Sequence, residues 1–170
     1  MKHLITYEEI SQLARPCTTD REMAEAMIAE AQRVEVKPRL GDALYLKLLA
    51  ETPEERFGTL LNGGSWQSAD KEDHLLTGIK TALAYYTLAR IIRDGNIQAT
   101  TYGAVVKDDQ HSADAERTER QRQYRELFSQ ADSYMAEALC YLTQNCRTFP
   151  EYKPEQKMRN NRITIRTIGK

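Results

Sequence analysis

The sequence predicts an all-α protein, a helical bundle with long amphipathic helices, a minor extended or hairpin segment near 97–107 and an extended C-terminal arm. Three observations predict it. Helix-start signals recur along the front of the chain, apolar residues repeat by threes and fours over two long stretches, and extended patterning is confined to two short places. The chain has 170 residues, enough for one domain with its own core and too few for two. We therefore divide it into a helical domain, 1–150, and a basic arm, 151–170.

Nearest the start, Thr6-Tyr7-Glu8-Glu9 reads as a capping box, with Ile5 and Ile10 at the positions of a hydrophobic staple. Pro16 stops this short helix near Ala14. Thr19-Asp20-Arg21-Glu22 is a second box, opening a helix over 20–35 in which Met23, Met27, Ala31 and Val34 recur at helical spacing. Pro38 interrupts or kinks it, and a helix with a dense apolar face resumes over 39–51. Thr52-Pro53-Glu54-Glu55 opens a short helix that Asn62-Gly63-Gly64 ends.

The spacing then predicts a core helix over 70–94. Leu75, Ile79, Leu83, Tyr86 and Arg90 step by three and four, Leu76, Ala82 and Ala89 fill in, and Gly95 closes it. Thr100, Thr101, Tyr102, Val105 and Val106 around Gly103 favour a loop or small hairpin. A last helix is expected over 112–146. Its second half is amphipathic through Leu127, Ala131, Tyr134, Ala138 and Tyr141, widened by Phe128, Met135 and Leu142.

Two segments do not suit a self-contained globule. Ala113–Gln123 has no Val, Ile, Leu, Met or aromatic residue, yet its charges are spaced for mutual support in a helix: Glu116 with Arg120, Asp114 with Arg117, Glu119 with Arg122. A helix over 112–146 is roughly 52 Å long, against a diameter of about 40 Å for a compact domain of this size. Its polar half either presents a solvated face or meets another subunit. The second segment starts at Lys153, where six cations stand against Glu155 alone. It includes Arg162-Ile163-Thr164-Ile165-Arg166, an alternating strand pattern without an obvious partner strand. It is either a free tail or a strand added to a neighbour. Arg117, Arg120, Arg162, Ile163, Ile165 and Arg166 are the candidate interface residues.

No catalytic, metal or cofactor site emerges. His3, His74 and His111 are scattered. Cys140 and Cys146 are about 600° apart around a helix, on different faces. Gly63-Gly64-Ser65 lacks the Lys-Ser/Thr of a phosphate loop, and carboxylates such as Glu8/Glu9, Glu54/Glu55 and Asp108/Asp109 sit where helix starts and turns favour them. Twenty-four basic against 25 acidic residues give a net charge of −1, with no overall pull toward nucleic acid or an anionic membrane. Apolar runs are too short for a membrane span, Met1–Ile10 has no stretch of signal length, and three cysteines without a framework suit a reducing cytoplasm.

The run Gly78-Ile79-Lys80-Thr81-Ala82-Leu83-Ala84-Tyr85-Tyr86, then Ala89-Arg90, then Thr101-Tyr102-Gly103-Ala104-Val105-Val106-Lys107, resembles phage and prophage proteins of Bacteroidales that look like head–tail connector, or head-completion, adaptors. Leu4-Ile5-Thr6, Leu40-Gly41-Asp42-Ala43-Leu44-Tyr45 and Tyr141-Leu142…Asn145…Phe149-Pro150 fit the same pattern, so the similarity spans most of 4–152. It implies a helical, non-enzymatic ring subunit, most often twelvefold, with an arm or terminus that clasps a neighbour. Its implied partners are copies of itself, the portal and tail or neck proteins, with DNA only as passing cargo, no cofactor and no membrane. Its implied place is the virion neck, reached from the host cytoplasm during assembly. A rival reading makes the chain a helical nucleic-acid-binding or regulatory protein that uses its basic tail.

Overall fold

The structure, a computed structural model, describes residues 2–50, 55–68, 70–94, 97–100, 103–106 and 113–153. It is mainly helical, with two small two-stranded antiparallel sheets. The first helix, α1 (Tyr7–Leu13), starts at the expected capping box: the Thr6 hydroxyl accepts the Glu9 N–H at 3.3 Å, and the Glu9 carboxylate accepts the Thr6 N–H at 2.8 Å. Ile5 and Ile10 are both buried beneath it.

Helix α2 (Arg21–Ala31) is capped by Asp20, whose carboxylate accepts the Met23 N–H at 3.1 Å. That is one residue later than the box expected at Thr19, whose hydroxyl turns to the Met23 sulfur instead. Pro38 does not end the helical run. The backbone widens into a π turn over Gln32–Val36 and continues as α3 (Lys37–Leu40). Proline lacks the N–H that would reach back four residues, and its ring crowds that carbonyl. The wide turn makes room, with the Lys37 N–H bonding the Gln32 carbonyl five residues back. The break comes at Gly41, whose φ of 78° leads into α4 (Asp42–Leu48).

The expected capping box at Thr52 lies outside the described residues, and the chain then forms a 3₁₀ turn, Glu55–Phe57, and α5 (Gly58–Asn62). The largest departure comes next. Residues 70–78 are not the first turns of a core helix. Instead β1 (Gly64–Gln67) pairs with β2 (Asp73–Leu76), Trp66 opposite His74 and Ser65 opposite Leu75. Two glycines hold the chain entering this hairpin against the chain leaving it. A Cβ on Gly63 would lie 2.5 Å from the Leu76 carbonyl oxygen, and one on Gly78 would lie 2.5 Å from the Gly63 nitrogen. With φ of 95° at Gly78, the helix starts only at Ile79. The hairpin also gives the body open strand edges, which the sequence had not suggested.

Helix α6 (Ile79–Asp94) is the centre of the molecule and is buried on nearly every side, by α1 and α2 on one flank and by α7 (Ala113–Gln144) on the other. The last two run antiparallel, since Thr77 meets Glu137, Tyr86 meets Asp132 and Phe128, and Arg93 meets Tyr124. Between them β3 (Ile97–Thr100) pairs with β4 (Gly103–Val106), the small hairpin expected there. Leu83 and Leu127, predicted as core, are 0% and 1% exposed. After α7, Phe149 packs on Phe57 and Tyr141. Among the described residues no helix is long and apolar enough to cross a membrane. The arm from residue 154 onward lies outside the described residues.

Candidate functional site

The two halves of α7 lie in different surroundings. From Leu142 back through Ala138, Met135 and Ala131 to Leu127, its inner seam is buried. One step further Tyr124 meets the end of α6: the Arg93 guanidinium sits 5.0 Å from its ring centre and donates to its hydroxyl at 3.4 Å. Beyond it, where the seven-residue repeat from Leu127 would put another apolar side chain, stands Arg120, half-buried. The helix N-terminal to Tyr124 continues about 16 Å beyond the Arg93 contact, with Arg120, Arg122 and Gln123 still bordering the last turns of α6. Arg117 and Arg125 are exposed and form no ion pair among the described residues, whereas Arg122 pairs with Glu119 at 2.7 Å. That contact, with a hydrogen bond from Gln123, pulls the Glu119 carboxyl down to about 2.

Beside this overhang is a groove of about 550 Å³ between α7, the last turns of α6 and the 15–19 loop. Its floor is apolar, from Leu88, Ile91 and Ile92, and arginines stand around it: Arg15, held to Glu126 at 3.0 Å, with Arg120 and Arg122. At the opposite end of α6 the β1–β2 hairpin has the reverse character. Its turn exposes Asp70, Glu72 and Asp73 against Lys71, and Leu75 is 77% exposed. Inward, Trp66 stacks on His74 and meets the Tyr141 edge, which fixes the hairpin to α7.

A third cluster bridges the helices. Arg90, its side chain 5% exposed, binds Glu30 at 2.6 Å and Glu35 at 2.8 Å. Arg39 binds Glu35 at 3.6 Å and Asp132 at 2.7 Å, lies against Tyr86 and donates to its hydroxyl, which itself donates to Asp132. The π turn places Glu35 here and buries Gln32, which binds Leu4 and Tyr45. Burial first, and then the Asp132 hydrogen bond, push the Tyr86 hydroxyl far above its ordinary range. Every carboxylate in the cluster is engaged by a guanidinium. It ties α2, α3, α6 and α7 together and offers no free base.

Among the described residues no three His, Cys, Asp or Glu side chains are grouped to hold a metal. His74 is stacked under Trp66, and Cys140 and Cys146 are separate and exposed. Of the candidate interface residues, Arg117 is exposed, Arg120 lines the groove, and Arg162, Ile163, Ile165 and Arg166 lie outside the described residues. Sequence reasoning missed Arg15 and the acidic hairpin. The pairing of Gly63-Gly64 with Gly78 around a polar turn was the signal for the hairpin.

A family model described as "Family of unknown function (DUF6712)" matches residues 36–162, most of the chain, and the chain belongs to that family. No curated protein and no solved structure matches.

Proposed function

We propose that this DUF6712 chain is a structural head–tail connector of a tailed phage, a helical-bundle subunit that assembles into a ring between the portal and the tail or next neck protein and has no enzymatic activity. The observation that carries this reading is the overhang of α7. The helix continues eleven residues beyond Tyr124 with no buried apolar side chain among the described residues, and Arg120 stands where one would otherwise fall. A closed ring of identical subunits needs two different complementary surfaces on each copy. The arginine-rimmed groove and the acidic hairpin, at opposite ends of α6, suit that requirement. The resemblance of Gly78–Tyr86 and Thr101–Lys107 to phage connector proteins supports the same reading, as does the near-neutral net charge, which suits a channel that DNA crosses.

The test is native mass spectrometry with negative-stain imaging of the full-length protein, alone and with the portal of the same phage. Rings in either setting are the expected result. A protein that stays monomeric in both overturns the proposal. One observation favours a second reading, nucleic-acid binding: Arg117 and Arg125 are exposed without an ion pair among the described residues, and the arm adds further cations. A salt-sensitive mobility shift on random DNA is its test.

A further inference from the structure

The groove at one end of α6 and the hairpin at the other match each other in two respects. At the base of the groove half-buried Ile92 lies beside Leu88 and Ile91, which are 3% and 8% exposed, and the rim holds Glu126 and three arginines, of which Arg15 and Arg122 have carboxylate partners and Arg120 has none among the described residues. The hairpin presents Asp70, Glu72 and Asp73 around Lys71 and, on the same exposed side of the ladder as Asp73, Leu75 at 77% exposure. Asp70 and Glu72 form no ion pair among the described residues. Ser68 bonds the Glu72 carbonyl, so the ladder alternation points the N–H groups of Asp73 and Leu75 away from β1. The structure thus leaves an acidic rim, an exposed leucine and free strand-edge donors together on one element.

We propose that the β1–β2 hairpin of one copy docks in the α6–α7 groove of the next, Leu75 against Ile92 and the exposed edges of Leu88 and Ile91, and Asp70 and Glu72 against Arg120 and Arg122. The contact forms between copies because α6 separates its two halves: the helix has 16 residues and spans about 24 Å. A surface that meets a different surface on the next copy is heterologous, and repetition closes a ring or extends a filament. This inference rests on the ring-forming reading and names the surfaces that the ring would use. Apolar contact supplies attraction, and the charges set the register and exclude wrong partners.

The experiment is a charge exchange in the full-length chain. Self-association is measured by analytical ultracentrifugation at low and high salt, with circular dichroism as a check on the fold. R120E/R122E and D70R/E72R alter exposed or half-buried side chains outside the core, and each should weaken association about tenfold or more. The chain carrying all four substitutions should recover it. Assembly that is unchanged by either double substitution, or not recovered in the combined chain, overturns the docking while leaving ring formation itself intact. Rings lost on deleting residues 153–170 but unaffected by charge reversal would assign the contact to the arm. A wild-type chain that remains monomeric alone and with portal ends both proposals.

Discussion

Two carboxylates, Glu119 and Glu151, are each pulled down to about 2 by cationic partners, but in different surroundings. Glu119 is on the α7 overhang and pairs with Arg122 three residues away on the same helix. Its partners would be neighbours in any helical fragment. Glu151 follows the end of α7 and is bound by Arg56 and Lys47, which lie about a hundred residues earlier, so the contact closes the tertiary structure. The same distinction separates the halves of α7. The seam from Leu127 to Leu142 is packed into the rest of the fold, whereas the ion pair that 113–123 makes among the described residues is within its own helix.

The largest expected effect is in the core half. Leu127→Ala should cost ~2–5 kcal/mol, and Leu83→Ala on the facing helix a similar amount, whereas Gln121→Ala should change stability by less than ~0.5 kcal/mol. Urea unfolding checks all three, and equal costs at 121 and 127 would erase the contrast. Next comes the cluster around Arg90. Arg90→Ala leaves Glu35 partly buried beside Arg39 alone and removes the tie from α6 to the π turn, for an expected loss of ~3 kcal/mol. Arg117→Ala, an exposed arginine, should be silent in the same melts.

The two carboxylates should also differ in their pH dependence. The folded-state pKa of Glu151 is depressed, chiefly by the Arg56 and Lys47 contacts. Its contribution is therefore present above the unfolded value of about 4.3 and is lost as pH falls toward about 2. After solvent screening the contribution is on the order of 1 kcal/mol. Glu151→Gln should lower stability at pH 7 and flatten the acid-unfolding curve in that window. Glu119→Gln should leave the curve where it is, because its fully exposed contact adds little to the fold. Acid-unfolding curves moved equally by both substitutions would contradict the comparison.

Much of this contrast was legible in the sequence. The seam Leu127, Ala131, Met135, Ala138 and Leu142 repeats at helical spacing, and its interruption at 113–123 is visible as the absence of any large apolar residue. The hairpin was hidden by coincidence. Leu75 and Leu76 precede Ile79 and Leu83 at spacings that also fit a helix, yet Leu75 points to solvent. What decides the matter is contact between the Gly63 and Gly78 backbones, a pairing fifteen residues apart that helical periodicity does not report. Pro38 does interrupt the regular α-helix, but through a π turn that the sequence did not specify. A proline breaks a regular α-helix, but the wider π turn before it accommodates the ring, and Gly41 ends the run. The groove was illegible because Arg15 and Arg120 meet only through tertiary packing.

On the proposed ring-forming reading, the first third of α7 becomes an interface on assembly. Amide hydrogen exchange on the full-length protein, as a verified monomer and again in its assembled form, addresses it directly. Residues 124–144 should be strongly protected in both states. Residues 113–123 should exchange quickly in the monomer, because short-range ion pairs of ~0.2–0.5 kcal/mol each cannot hold a helix end closed, and should become protected on assembly. Protection of 113–123 equal to that of 124–144 in the monomer would contradict the account.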